Sequence, residues 1–149
     1  MVKIKSAVLL IAIGSCLQVM PQATDSRQVQ KALTQMLNGI ANRDIAMIRH
    51  YSMPDCQILE DGHLYNLDSI TKHMAQAKSR ASTRVNHLYI ATTRVDGNTA
   101  WLAFTDIVNI TVNGKTAVEN YLESAYLTKV AHAWKVQMIH STTVTTYVK

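Results

Sequence analysis

The chain has 149 residues, 48% of them apolar, and fifteen Lys and Arg against ten Asp and Glu give +5 at neutral pH. That length suits one domain of ordinary size, and the apolar share excludes an unstructured tail. Two cysteines are too few for a disulfide scaffold.

At the N-terminus, Lys3 and Lys5 precede the apolar run Ala7–Ile13, the basic and hydrophobic regions of a secretory signal. The run is too short to cross a membrane, which takes about 17 to 25 apolar residues. Two cleavage readings stand side by side. Ile13-Gly-Ser-Cys16 has the pattern of a bacterial lipobox, whose cysteine is acylated and becomes the new N-terminus, whereas the other cut follows Ala23. Both predict export, either soluble in the periplasm or outside the cell, or tethered to a membrane solely through a lipid on Cys16. Residues 1–23 then form the signal and 24–149 a single domain. Losing the signal removes Lys3 and Lys5 and leaves +3 over 126 residues, with no basic cluster denser than Lys78-Ser-Arg80 and Arg84. That is not the charged stripe of a nucleic-acid surface, and no nucleic-acid partner is expected. Cys56 would be the one thiol of the mature domain and reads as a small buried hydrophobe.

Along the mature chain, Asp25 or Ser26 is expected to cap a helix whose apolar residues Val29, Leu33, Met36, Leu37 and Ile40 recur at helical spacing. Gly39 weakens that helix, Asn42-Arg-Asp44 breaks it, and a short helix from Asp44 to His50 follows. Met53-Pro-Asp55 imposes extended or turn geometry before a strand at Gln57-Ile-Leu59. Glu60-Asp-Gly62 is a turn into a strand through Leu64 and Tyr65, and Asp68 or Ser69 caps a third helix through Ile70 and Met74. After Arg84 the period changes. Val85–Arg94, Thr99–Val112, Lys115–Val130 and Trp134–Val148 are strand-like runs, joined by Asp96-Gly97, Asn113-Gly114 and Ala131-His-Ala133. Helices first and an antiparallel meander afterwards predict an α+β domain with its helices on one face of a sheet.

This order, with Tyr51-Ser-Met-Pro-Asp-Cys56, Glu60-Asp-Gly62 and the closing Trp134-Lys-Val-Gln-Met-Ile-His-Ser141, resembles the NTF2-like superfamily, especially its SnoaL-like and DUF4440-type members. The likeness covers about residues 26 to 147. It departs from the usual pattern before the tryptophan, where His132-Ala133 replaces an Asp-Gly or Gly-Gly turn. The resemblance implies a cone-like fold, N-terminal helices packed in a strongly curved antiparallel sheet, with a pocket at the open end. It covers isomerases, dehydratases, cyclases and proteins that only bind, so it leaves activity open.

A two-residue turn at Asn113-Gly114 places Asp106 opposite Tyr121 and Phe104 opposite Glu123. If the next turn joins Lys129 to Trp134, Glu123 lies opposite His140. Asp106, Tyr121, Glu123 and His140 then share a face with Phe104, Met138 and Trp134. The alternation of Trp134, Val136 and Met138 with Lys135 and Gln137 turns that face inward. A bulge in either hairpin would reverse part of the set.

The candidate catalytic groups are His140, Asp106 and Glu123: a carboxylate beside an imidazole orients it and suits it to proton transfer. A hydrogen-bonded structural histidine is the competing reading. His50, Tyr51, Tyr65, Phe104, Tyr121 and Met138 are the candidate ligand contacts. His63, His73, His87 and His132 show no metal-ligand spacing, and no phosphate loop, nucleophile elbow or dinucleotide fingerprint occurs, so neither a metal nor a cofactor is expected. Three functions compete: binding of a small, partly apolar ligand in the cone pocket; a cofactor-independent lyase or isomerase using a His–carboxylate pair; and a structural or interaction protein. A homodimer through the convex sheet is expected, because Thr105, Ile107, Asn109, Val118, Asn120, Leu122, Ser124 and Tyr126 mix apolar and small polar groups on the opposite face.

Overall fold

The computed structural model describes residues 21–77 and 82–144. The signal through Met20 with its lipobox, the Lys78-Ser-Arg80 cluster and the predicted strand end at 145–148 lie outside the described residues. In chain order the elements are α1 (Pro21–Asn42), α2 (Ile45–Tyr51), β1 (Ser52–Glu60), β2 (His63–Asn66) and α3 (Leu67–Ala77), then β3 (Ser82–Asp96), β4 (Thr99–Val112), β5 (Lys115–Val130) and β6 (Ala133–Thr143).

Helix α1 starts at Pro21, ahead of the expected cap at Asp25 or Ser26. Proline fits a first helical turn, where its missing N–H has no intrahelical partner. Asp25 serves a different purpose: its carboxylate accepts from Lys129 Nζ at 2.7 Å and Trp134 Nε1 at 3.4 Å, tying α1 to β5 and β6. The break at Asn42-Arg-Asp44 does form, with Arg43 at φ +54° and Asp44 capping α2 by accepting from Met47 N–H at 2.9 Å. For α3 the cap is Asn66, whose side chain accepts from Ser69 N–H at 2.8 Å, in place of Asp68 or Ser69.

The six strands run in the order β2-β1-β6-β5-β4-β3. The sheet is mixed, because β1 lies parallel to β6 while every other pair is antiparallel. This corrects the expected cone. The order is open, β2 and β3 are its two edges, and the sheet neither closes nor curves strongly round the helices. Closure would need the edges to meet, and β2 offers only four residues before α3 begins.

α1 packs across β3 and β6, and α3 against β1 and β2, so one sheet face is covered. The core between them contains Val29, Leu33, Met36, Ile48, Phe104, Leu127 and Val136, all fully buried. Each large side chain there contributes roughly 1.5–3 kcal/mol of transfer free energy.

Register decides which polar groups enter that covered face. The β4–β5 pairing is as the Asn113-Gly114 turn requires, with Asp106 opposite Tyr121 and Phe104 opposite Glu123. In β5–β6, Lys129 pairs with Trp134 and Leu127 with Val136, but Tyr126 pairs with Met138. Gln137 is therefore an extra residue in β6, and such a bulge flips the side-chain parity beyond it. Ile139 and Ser141 are buried, and His140 is exposed. A second bulge at Ala91 in β3 sets Leu88, instead of Tyr89, opposite Asp106.

Candidate functional site

A solvent-open cavity of about 160 Å³ lies between the covered sheet face and helices α1 and α3. Leu37 and Ile40 from α1, Ile70 and Met74 from α3, and Ile58 and Ile139 from the sheet form its apolar wall. Glu60, Arg84, Tyr121, Glu123 and Ser141 form its polar wall. Each polar residue comes from a strand whose alternation sends it inward: Glu60 from the end of β1, Arg84 from β3, Tyr121 and Glu123 from β5, and Ser141 from β6 after its bulge.

Glu123 is the chemically unusual member. It is 9% exposed, and its Oε2 has no hydrogen-bond partner. Burial pushes its carboxyl up to about 7, opposed by the Ser141 hydroxyl that hydrogen-bonds to it and by the Arg84 charge, and assisted by the negative charges of Asp106 and Glu60. Burial in apolar surroundings disfavours the ionised form, and like charges add to the effect. Asp106 is 1% exposed and also shifted upward by burial, although hydrogen bonding from Asn86 opposes the shift. Its carboxylate accepts from Asn86 Nδ2 and, at 3.1 Å, from the His87 backbone N–H, fastening β3 to β4. Tyr121 donates its hydroxyl to Glu119 Oε2 at 2.5 Å, and burial together with that bond holds its phenol well above the usual range.

Asp106, Tyr121, Glu123 and Phe104 therefore share the covered face, although Phe104 is fully buried in the core and Asp106 stands behind the cavity wall. His140 and Met138 do not join them. Both lie beyond the Gln137 bulge, His140 exposed and Met138 beside Tyr126, Asp55 and Gln57 in a shallow outer recess. The expected His140–carboxylate pair is thus replaced by Ser141 beside Glu123. Tyr65 lines an adjoining recess with Glu60, His73 and Met74. His50 and Tyr51 belong to a separate recess, with Gln28, Lys31, His132 and Trp134. Cys56 is fully buried, and burial pushes its thiol up to about 11, the environment of an inert side chain. Among the described residues no group of three or more His, Cys, Asp and Glu is arranged to hold a metal.

Sequence reasoning missed Glu60, Arg84 and Ser141. Glu60 and Arg84 carry a readable signal, since each is a charged residue at the end of a strand pattern. Ser141 has none, because its inward direction depends on the bulge.

No protein-family model matches the sequence, and no curated protein matches it. Solved structures do. A putative dehydratase of the NTF2-like family from Streptomyces avermitilis superposes with a TM-score of 0.70 at 16% identity, covering 83% of this chain and 99% of that one. An NTF2-like superfamily protein from Salmonella enterica serovar Typhimurium gives 0.71 at 16%, covering 83% and 94%. A ketosteroid isomerase-like protein from Erwinia carotovora atroseptica gives 0.67 at 13%, covering 82% and 98%. At such identities the likeness concerns the backbone alone, and on that ground the chain has the general fold of the NTF2-like superfamily.

Proposed function

We propose that this chain is an exported domain that binds a small, partly apolar molecule in the cavity between its sheet and helices α1 and α3. The observation that carries the reading is Glu123: a buried carboxyl with an unpartnered oxygen, on the polar wall of a cavity whose facing wall is apolar. A buried polar atom without a partner costs stability, and a ligand able to pair with it removes that cost. A few fixed polar groups among hydrophobic ones are the usual make-up of a small-molecule site. The proposal includes the closer likeness to SnoaL-like and DUF4440-type domains, removal or acylation of the N-terminal signal, and a homodimer through the outer sheet face.

The test is a titration of the full chain, labelled with ¹³C at isoleucine δ1 methyls, with cyclohexanol and cyclohexanone. Saturable shifts are expected at Ile58, Ile70 and Ile139, with Ile107 on the outer face unmoved. No saturable shift up to roughly 10 mM would overturn the reading, since even weak sites for seven-atom ligands reach the millimolar range.

A second reading, proton transfer without a cofactor, is favoured by the Glu123 acidity near 7, close to the ideal for a general acid or base at neutral pH. Two of the similar structures are described as ketosteroid isomerase-like and as a putative dehydratase. The group involved here would be Glu123, with Tyr121 beside it, and His140 has no part. Exchange of the ring α-protons of cyclohexanone in D₂O should then be catalysed and should fall roughly 10²-fold in Glu123→Gln. A rate equal to that of buffer would remove this reading while leaving binding intact.

A further inference from the structure

On the polar wall the two hydroxyl donors and Arg84 Nε are spoken for. The Tyr121 hydroxyl proton goes to Glu119, the Ser141 hydroxyl is engaged with Glu123, and Arg84 Nε donates to Asn86 Oδ1 at 3.2 Å. What stands open is an acceptor, Glu123 Oε2, more than nine-tenths buried as a residue and unpartnered. The Glu60 carboxylate lines the same wall.

Charge points the same way. Glu123 is faced by Glu60 from β1, Arg84 from β3, Asp106 from β4 and Ser141 from β6, with Tyr121 and Glu119 on its own strand. Helices α1 and α3 present only Leu37, Ile40, Ile70 and Met74 there, and His73 opens onto the adjoining recess. Among the described residues Arg84 is the one cation lining the cavity, and it is set against four carboxylates on or just behind the wall. A negative potential in a partly desolvated cleft disfavours an anion and favours a cation.

Resting on the ligand-binding reading, we propose that the ligand class is a small apolar amine. It binds as the ammonium ion, donating to Glu123 Oε2 with Glu60 nearby, and lays its hydrocarbon part against Ile58, Ile70 and Ile139. The cavity's size suits a single ring, since engineered apolar cavities of about 150 Å³ hold benzene. Hydrogen bonds between two charged groups are roughly twice as strong as neutral ones, which separates an amine from the alcohol of the same shape. Burial also makes the pairing dependent on pH: below neutrality Glu123 holds a proton that the ammonium ion must displace.

The experiment is calorimetric titration of the full chain with cyclohexylamine and with cyclohexanol, between pH 5 and pH 8. The amine keeps its charge throughout, as an alkyl ammonium titrates near 10. At pH 8 cyclohexylamine should bind about tenfold or more tightly than cyclohexanol. Its affinity should fall about tenfold or more by pH 5, while that of cyclohexanol stays flat. Glu123→Gln should abolish both the preference and the pH dependence, and Glu60→Gln should reduce the preference while leaving the pH dependence. Equal or tighter binding of cyclohexanol at pH 8, or a preference for the amine that survives Glu123→Gln, would overturn the amine assignment and leave the pocket standing. Failure of both compounds to bind would overturn the pocket itself.

Discussion

At the scale of the residue, Glu123 has a consequence for stability that needs no ligand. Its acidity in the fold, near 7, is raised above the ordinary value of 4.5. The folded protein therefore holds a proton that the unfolded chain releases between about pH 4.5 and pH 7. Stability from this group falls as pH rises through that window, the penalty being complete above pH 7 and absent below about pH 4.5. A difference of that size corresponds to about 3 kcal/mol. Glu123→Gln should accordingly stabilise the protein by about that much at pH 8 and leave it nearly unchanged at pH 4, as read from urea midpoints. An equal effect at both pH values would show that the carboxyl titrates in the folded protein as it does in the unfolded chain, with no upward shift. The placement of Glu123 beside Asp106 and Tyr121 was readable from one turn, Asn113-Gly114, where both φ angles are positive. His140 was misread for a reason no residue type announces: β6 carries one extra residue at Gln137, and a single insertion exchanges the two faces.

Among elements, the α1–α2 corner shows a glycine used for approach instead of flexibility. A Cβ on Gly39 would meet Ile48 Cγ1 at 2.9 Å and the Ile48 backbone nitrogen at 3.0 Å. Alanine favours a helix over glycine by about 1 kcal/mol, so a purely local view predicts that Gly39→Ala stabilises. The contact with α2 backbone predicts the reverse, a loss of about 1–3 kcal/mol from overpacking, measurable by thermal melting. The β5–β6 turn offers the opposite case. Ala131 and His132 sit at φ +48° and +67°, a conformation that suits Asn-Gly and costs other residues roughly 1–2 kcal/mol each. Replacing Ala131 with Asn and His132 with Gly should raise the melting temperature. An unchanged or lower value would mean that contacts of the native pair outweigh the backbone term. The departure from the usual glycine turn was visible in the sequence, and the chain meets it with a two-residue turn between Val130 and Ala133. Helix periodicity and hairpin glycines placed the elements well, whereas caps and bulges, set by one or two side chains in three dimensions, were not legible.

For the whole molecule the question is what covers the outer sheet face. Among the described residues the helices pack on one side, leaving Leu122, Val118 and Tyr89 each 60% exposed on the other, with Trp101 at 47%. These residues lie on β3, β4 and β5 with parity opposite to the buried set, so they form one surface instead of scattered positions. Large apolar side chains gathered on one exposed face mark an interaction site more often than open solvent. The proposed homodimer would pair this face with itself, and a stable pair should bury more than about 1,000 Å² in total. The bulges add to the surface, because the Gln137 insertion sends Met138 and His140 outward alongside Tyr126. A histidine first read as a pocket group thus stands at the edge of the proposed interface. Light scattering at tens of micromolar should give the mass of two chains. Leu122→Lys combined with Trp101→Lys should give the mass of one, with the far-ultraviolet circular dichroism retained, since both side chains leave the core untouched. A single-chain mass for the unaltered protein at that concentration would sink the dimer. A double mutant that remains dimeric would move the interface elsewhere.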